Sequence, residues 1–213
     1  MDIVLILVIL LYSAILHEIM HGYIAYRLGD PTAKLLGRLT LNPLKHLDIF
    51  YSFLLPLGLF LSNLPIIGGA KPVPVDPFNL KDGHKDYALI SIAGPLTNIL
   101  LAIIASLIAH VAFPHASFAE VGSSNIFGLI LYYIIRINLT LGIFNLIPIP
   151  PLDGSKLVTL ILPEREANAY LSLGNGGFGM LILVALFYLP LGSFSFSNIL
   201  GSLIMTGIKL LGF

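Results

Sequence analysis

Two histidines and a glutamate stand close together early in the sequence, in the run His17-Glu18-Ile19-Met20-His21. If the run is helical, residues i and i+4 lie on one face, so both imidazoles can reach one metal ion. Glu18 is then turned about 100° from His17 around the helix axis. That position suits a carboxylate that contacts a water molecule and does not bind the metal itself. The H-E-x-x-H pattern therefore predicts a zinc-dependent hydrolase with Glu18 as the general base.

The surroundings of this motif are apolar, since Met1–Tyr26 has few polar residues before His17. Ionisable side chains inside a membrane span are costly and rare, and they mark functional sites. A purely structural role is the alternative, but three such groups in one short run would require several buried partners. We therefore interpret His17, Glu18 and His21 as a catalytic metal site.

A catalytic zinc ion is held by three protein ligands and a water molecule, so the motif needs a third ligand. The candidates are the histidines and acids on the same side of the membrane as the motif, in the topology described below. They are His46, Asp48, Asp76, Asp82, His84, Asp86, Asp153, Glu164 and Glu166.

Asp153 differs from the other candidates because it follows a proline-rich break in the run Asn145–Gly154. The three prolines within Pro148–Pro151 end any helix there. Broken backbone at membrane depth is tolerated only where protein or water covers it, so this run is expected to line a cavity. A plain turn is the alternative, because Asp-Gly is a common turn pair. The proline break favours Asp153 as the third ligand.

The composition indicates that a membrane protein holds this site. Apolar residues make up 57% of the 213 residues, charged residues make up 10%, and the mean hydropathy is +0.95. Soluble domains have roughly 45–50% apolar and about 25% charged residues. The net charge of zero argues against nucleic acid as a partner, and the absence of cysteine excludes disulfides and thiol catalysis.

Several apolar stretches predict membrane-spanning helices. They are Met1–Tyr26, Tyr87–Val111, Ile126–Asn145, Phe178–Leu191 and Phe196–Phe213. Another, Ile49–Ile67, is interrupted by Pro56 and Pro65, so it either re-enters the membrane or crosses it as a proline-broken helix. We therefore expect an all-α polytopic membrane protein with five to six transmembrane helices, folded as a single domain over residues 1–213. The first stretch lacks a basic n-region and a cleavage site, which argues against a removable signal peptide.

The distribution of basic residues predicts the orientation, because cytoplasmic loops carry the excess of Lys and Arg. If Ile49–Ile67 re-enters, every lysine and arginine outside the spans falls on one face; if it crosses, they are divided between both faces. The first arrangement is favoured, and a proline-kinked sixth span is the alternative. The N-terminus is then outside, His110–Asn125 is external, and the predicted metal site faces the cytoplasm.

The stretch that follows Ile49–Ile67 is polar and carries two prolines within Ala70–Val75. Proline cannot donate to a β-ladder, so this stretch is expected to be an edge strand or an extended loop. We predict a small extended or β element near residues 70–76.

Taken together, these elements resemble the site-2 proteases, which are zinc-dependent intramembrane metalloproteases. The resemblance is carried by His17–His21, by Asn145–Gly154 with its Asn-to-Asp spacing, and by Gly94-Pro95-Leu96-Thr97-Asn98, which resembles the G-P-x-x-N element of the family. In length, the chain is similar to minimal members that lack PDZ or CBS regulatory domains.

The resemblance implies one catalytic Zn²⁺ ion, bound by His17, His21 and Asp153. Glu18 would activate the water molecule, and Asn145 would steady the substrate backbone or the developing oxyanion. Another set of residues would pair with unwound substrate: Lys71, Val73 and Val75. The implied substrates are membrane proteins with a transmembrane helix, cleaved within the bilayer of a prokaryotic cell membrane, and the oligomeric state is left open.

Two other functions use the same polar residues. A metal-ion transporter would use them as a transit site, but transporters often show internal repeats, and we find none. A catalytically silent membrane scaffold would not need Glu18.

Arg136 lies midway along a predicted span and has two interpretations. It is either part of a buried pair or gate, or a structural charge facing the interior near Asn138 and Thr140. We favour the structural charge.

Overall fold

The computed structural model describes residues 2–46, 72–174, 178–188 and 195–213. The regular elements in these ranges are α-helices and two short 3₁₀ turns, at Pro43–Lys45 and Pro77–Asn79, so the expected all-α class is confirmed there. The helices are α1 (Asp2–Leu28), α2 (Thr32–Leu35), α3 (His84–Ala112), α4 (Phe118–Ser124), α5 (Ile126–Asn145), α6 (Gly154–Val158), α7 (Glu164–Ser172), α8 (Phe178–Tyr188) and α9 (Phe196–Leu210).

Three of these helices are long and apolar enough to cross a membrane. They are α1 from Ile3, α3 and α5, and they correspond to three of the predicted spans. Helices α8 and α9 are shorter, at 11 and 15 residues. The expected total of five to six spans therefore stays a prediction, and Ile49–Ile67 lies outside the described residues.

Helix α3 packs against both α1 and α5 and forms the centre of the bundle. Small side chains on α3 allow this close approach. At Gly142 of α5, an added Cβ would lie 2.9 Å from the Ile99 side chain and 3.1 Å from the Pro95 carbonyl oxygen. The core of this part of the molecule combines residues from α3, α4, α5 and α9: Ala102, Ala105, Ala109, Val121, Leu131, Ile135, Leu139 and Ile208.

The outward faces of the three long helices are apolar. Large side chains such as Ile3, Leu107 and Val111 are mostly exposed. In water such a surface would be unfavourable, but lipid tails are as apolar as these side chains. The exposed faces are therefore consistent with a membrane protein.

The structure of residues 72–76, which precede α3, differs from one prediction. Residues 72–76 form no strand, and their backbone donors bind side chains: Val73 donates to Glu18, and Asp76 donates to Asp30. Pro72 and Pro74 have no N–H group, so the segment lacks two of the donors that a β-ladder uses. Of the two alternatives in the prediction, the β-strand is therefore wrong for residues 72–76, whereas extended backbone occurs at Asp76.

Candidate metal centre

Three side chains that the sequence singled out meet at one point. The Nε2 atoms of His17 and His21 are 2.9 Å apart, and Asp153 Oδ2 lies 3.1 Å from the first and 3.2 Å from the second. Both histidines are buried, and they project from the same face of α1 as their spacing predicted. Asp153 approaches from the turn that precedes α6.

The other ring nitrogen of each histidine fixes its tautomer. His17 Nδ1 lies 2.6 Å from Asn98 Oδ1, and His21 Nδ1 lies 2.7 Å from the Ile90 carbonyl oxygen. Both partners are acceptors, so Nδ1 must carry the hydrogen in each ring. Each Nε2 atom is then left with a lone pair, which is the arrangement found in histidines that bind metal.

This donor set fits a zinc ion. Two Nε2 lone pairs and a carboxylate oxygen face one another, and only a cation among them makes this arrangement favourable. Tetrahedral zinc with bonds of about 2.0–2.1 Å places its ligand atoms about 3.3 Å apart, close to the separations observed here. His17, His21 and Asp153 would therefore hold zinc and leave its fourth position open.

Gly94 on α3 leaves space for this cluster. A Cβ atom added at Gly94 would lie 2.5 Å from the Nε2 atoms of both His17 and His21. Contacts that short do not occur, so any side chain here would displace the imidazoles. Gly94 begins the G-P-x-x-N element noted in the sequence, and the structure supplies a physical reason for its glycine.

A buried polar network supports His17 from the interior of the bundle. Asn98 Nδ2 donates to Asn138 Oδ1 at 2.8 Å, which orients the amide so that its oxygen faces His17. Asn138 Nδ2 in turn donates to Ser13 Oγ at 2.9 Å and to the Ile134 carbonyl oxygen. Our sequence analysis noted Asn98 only as part of a motif and missed Ser13. The signal that could have indicated these residues is their polarity within otherwise apolar helices.

Lys156 controls the orientation of Asp153. Its ammonium group lies 3.3 Å from Asp153 Oδ1, which leaves Oδ2 to face the histidines, and it also donates to the Pro151 and Leu152 carbonyl oxygens. Burial opposes ionisation of Asp153. The nearby Lys156 ammonium opposes this effect of burial and lowers the pKa of the carboxyl. Our sequence analysis did not assign Lys156 to the site.

A cavity of about 240 Å³ opens beside the three candidate ligands. Its walls come from α1, residues 72–75, α3, the end of α5 and the proline-rich break. The lining residues are His17, Glu18, His21, Pro72, Val73, Val75, Tyr87, Ile90, Ser91, Asn145, Pro151, Leu152, Asp153 and Lys156. Sequence reasoning did not indicate Tyr87 and Ser91, which precede Gly94 by two turns and one turn of α3.

Glu18 lies at this cavity, turned away from the ligand cluster as its position in the motif predicted. Its Oε2 atom accepts a hydrogen bond of 2.8 Å from the Val73 backbone N–H. The other carboxylate oxygen has no such backbone partner in the described chain. The segment 72–76 thus holds the candidate general base from one side.

Asp30, just after α1, binds residues 72–76 through hydrogen bonds. The carboxylate is fully buried and accepts hydrogen bonds from the Thr32 N–H and hydroxyl, the Asp76 N–H and the Asn79 amide. Burial raises the pKa of Asp30, but these hydrogen bonds outweigh it and leave the pKa below its usual value. Asp30 therefore positions Val73 over Glu18.

The predicted substrate-binding residues are only partly described. Val73, Val75 and Asn145 line the cavity, and Lys71 lies outside the described residues. Asn145 Nδ2 donates to the Leu141 carbonyl oxygen at 2.9 Å, and its amide oxygen has no hydrogen-bond partner among the described residues. This orientation suits an acceptor for a substrate N–H better than a donor to an oxyanion. The roles of all four residues remain predictions.

The other candidate third ligands have different surroundings. Asp76 caps the turn Pro77–Asn79, and Asp86 accepts hydrogen bonds from the Lys81 and Asp82 N–H groups before α3. His46 is fully buried, and its Nε2 atom lies 2.8 Å from the Thr40 carbonyl oxygen. Among the described residues, the group able to hold a metal consists of His17, His21 and Asp153. Asp48 lies outside those residues.

Comparisons with known proteins agree with this geometry. The family model described as peptidase family M50 matches residues 5–189. The chain is 37% identical over 193 residues to YwhC of Bacillus subtilis, named as a candidate zinc metalloprotease, and the match covers 87% of this chain and 80% of that protein.

More distant relatives extend beyond the matched region. Rip2 of Mycolicibacterium smegmatis, named in the same way, is 30% identical over 181 residues, which cover 84% of this chain and 65% of Rip2. Zinc metalloprotease MJ0392 of Methanocaldococcus jannaschii is 30% identical over 159 residues, 74% of this chain and 34% of that protein. The chain therefore spans less than two thirds of these two relatives. No solved structure shows a significant match to it.

Proposed function

The chain belongs to peptidase family M50, and on that premise we propose that it is an intramembrane zinc endopeptidase that cleaves transmembrane segments of other membrane proteins. One observation carries the proposal. Two histidine lone pairs and a carboxylate oxygen converge beside Glu18, on helices apolar enough to lie in a membrane.

Zinc, when bound, supplies a Lewis acid and lowers the pKa of a water molecule. The side chains of the protein carry out the rest of the chemistry. His17, His21 and Asp153 hold the ion, while Asn98 and Lys156 orient the first and the last of these ligands.

Glu18 is the proton carrier in this proposal. Its carboxylate accepts a proton from the attacking water molecule and returns it to the leaving amine. The Val73 N–H group holds one carboxylate oxygen in place, so the other is presented to the cavity. Asn145, whose amide oxygen has no partner among the described residues, accepts an N–H of the substrate backbone.

The substrate must unwind before it reacts, because a helical peptide bond is shielded by its own hydrogen bonds. Its exposed N–H and C=O groups then need partners, since lipid offers none. The segment 72–76 borders the cavity at Val73 and Val75, and it is the proposed site for pairing with an extended substrate. We expect preferred substrates to carry helix-weakening residues near the cut.

The membrane arrangement remains part of the proposal. The helices α1, α3 and α5 give three crossings by length and composition. The distribution of Lys and Arg supports an orientation with the N-terminus outside and the site toward the cytoplasm. The site lies near the C-terminal end of α5 and the early part of α3, at one end of the bundle.

The test is cleavage of a single-span substrate by purified protein in detergent, with zinc content measured in parallel. Wild type, Glu18→Gln and Glu166→Gln are compared, since Glu166 is exposed on α7 and serves as the matched control. We expect zinc in all three proteins and cleavage by wild type and Glu166→Gln only. Cleavage by Glu18→Gln at the wild-type rate would overturn the role of Glu18. Zinc flux into liposomes that survives Glu18→Gln, without cleavage by any variant, would indicate a transporter instead.

A further inference from the structure

Arg136 is a charged side chain at mid-span whose surroundings the proposed catalytic site does not explain. It lies ten residues after the start of α5 and nine before its end. At 1.5 Å per residue, each end of the helix is about 14–15 Å away, so Arg136 sits near the middle of a span. A charged group at this depth is costly, and it indicates a functional site unless it is paired.

The described chain gives this guanidinium little compensation. One hydrogen bond of 2.8 Å runs from Nη1 to the Tyr132 hydroxyl, and the Tyr132 ring centroid lies 6.0 Å away. A guanidinium has five N–H donors, so one neutral acceptor leaves most of them unused. The side chain is exposed, and no carboxylate in the described ranges forms an ion pair with it.

The chain itself offers few carboxylates that could pair with Arg136. Within α1, α3 and α5 the acidic residues are Asp2, Glu18 and Asp86. Asp2 and Asp86 stand in terminal turns, and Glu18 belongs to the metal site. The segment 49–71 and the segment 172–213 contain no acidic residue at all. A second copy of the chain would therefore bring no carboxylate to this depth.

Arg136 borders a groove of about 410 Å³ between α1 and α5. Ile6 and Leu10 form one wall, and Tyr133, Ile137 and Leu141 form much of the other. The groove is apolar except near Arg136 and Thr140. Such a surface suits a helix that is itself apolar and carries one polar group to meet the guanidinium.

The groove points along the helices toward the catalytic cavity. Leu10 precedes His17 by two turns of α1, and Leu141 precedes Asn145 by one turn of α5. A helix lying in the groove would therefore reach the cavity with its next few residues. Lipid headgroups lie at the interface and not at this depth, and acyl chains have no hydrogen-bond acceptors.

From this geometry we infer that the groove between α1 and α5 binds the outer half of a substrate's transmembrane helix, and that Arg136 selects substrates with an aspartate or glutamate at mid-span. The inference rests on the proposed function, because it names the substrate feature that the same protease recognises. Arg136 lies about 14 Å from the end of α5, a distance spanned by about four extended or nine helical residues. The selected carboxylate is therefore about four to nine residues from the scissile bond.

The experiment measures binding, so it does not depend on cleavage. Single-span leucine–alanine peptides with one aspartate scanned along the helix are bound to Glu18→Gln protein in phosphatidylcholine nanodiscs. We expect the peptide with aspartate at one particular position to bind about tenfold more tightly than the alanine peptide, a factor close to the lower limit measured for close charge pairs. Arg136→Met should reduce this ratio to about one, and Arg136→Lys should keep part of it.

Tyr132→Phe is the matched control, because it removes the neighbour of the guanidinium and keeps the charge. It should preserve the preference for aspartate. Equal binding of all peptides by the Glu18→Gln protein, or a preference that survives Arg136→Met, would overturn the inference. So would a preference that anionic lipid abolishes by occupying the groove, because the groove would then be a lipid site. Aspartate-selective binding without any cleavage by the wild type would support the groove as a binding site and contradict the proposed protease activity.

Discussion

Arg136 and Asn138 lie two residues apart on α5, and their side chains have opposite surroundings. Asn138 is 1% exposed and exchanges hydrogen bonds with Asn98 and Ser13 in the centre of the bundle. Arg136 is exposed beside a groove and binds only Tyr132 among the described residues. Two residues correspond to about 200° around a helix, so neighbouring polar positions face opposite directions.

The difference separates two uses of a polar group in an apolar helix. A polar side chain with all its partners inside the fold fixes geometry, as the network behind His17 does. A polar side chain without them keeps its binding capacity for another molecule, as we infer for Arg136. Substitutions on the two sides should therefore affect different measurements, and the following predictions test that separation.

The largest effect is expected for Gly94→Ala. Its Cβ atom would lie 2.5 Å from the Nε2 atoms of both His17 and His21, so the two imidazoles could not keep their positions. We expect zinc affinity to fall at least about 100-fold, since the first ligands themselves are displaced. Competition with a chromogenic chelator measures this. Gly201→Ala is the control, because nothing lies within 4 Å of a Cβ there, and equal losses in both variants would contradict the explanation.

Asn98→Leu should lower zinc affinity about 10- to 100-fold, the usual cost of losing a group that orients a metal-bound histidine. The substitution removes the acceptor of His17 Nδ1 and frees the ring to rotate or change tautomer. Asn98→Asp keeps an acceptor oxygen at that position and should retain more of the affinity. The same chelator competition decides, and unchanged affinity in Asn98→Leu would show that the network does not control His17.

Asn138→Leu acts one step further from the metal. It removes the Asn138 acceptor of the Asn98 Nδ2 group and the donor to the Ser13 hydroxyl, and an unpaired buried polar group costs about 1–3 kcal/mol. We expect a lower thermal midpoint in detergent and a loss of zinc affinity of only a few fold. A loss of zinc affinity as large as that of Asn98→Leu would mean that Asn138 acts on the site directly.

The comparison between polar groups with and without internal partners extends to Asp30, which lies outside the spans. Asp30 is a buried charge that accepts four hydrogen bonds from its neighbours. Its pKa is below the usual value in the folded protein, so its stabilising contribution is present above the unfolded pKa of about 4 and is lost as the pH falls through the folded pKa. Asp30→Asn should lower the thermal midpoint at pH 7, and the gap from wild type should narrow below about pH 4. A gap that stays constant with pH would contradict an ionised Asp30.

The sequence named the candidate metal ligands but not the side chains that support them. The spacing of His17 and His21 and the proline break before Asp153 each have a direct geometric meaning, so these residues could be named in advance. The partners of His17 could not be named, because Asn98 and Asn138 meet through the packing of α3 on α5, which depends on small residues such as Gly142.

Two expectations failed for physical reasons that the sequence contained. The β alternative was wrong for residues 72–76, because Pro72 and Pro74 remove ladder donors and the Val73 and Asp76 N–H groups bind Glu18 and Asp30. The interior-facing orientation of Arg136 was also wrong. Thr140 donates to the Arg136 carbonyl oxygen, but the guanidinium points away from Asn138.

The smallest effect on stability is expected for Arg136→Met, and it is the sharpest test of the comparison. The substitution removes one hydrogen bond to Tyr132 and also removes a guanidinium from hydrocarbon. These two changes oppose each other, so the thermal midpoint in detergent should stay the same or rise, and zinc affinity should not change. A fall in the midpoint as large as that of Asn138→Leu would mean that Arg136 is a structural charge with partners that hold the fold together. Arg136 and Asn138 would then differ only in the face of α5 on which they lie, because both polar groups would serve the same structural purpose.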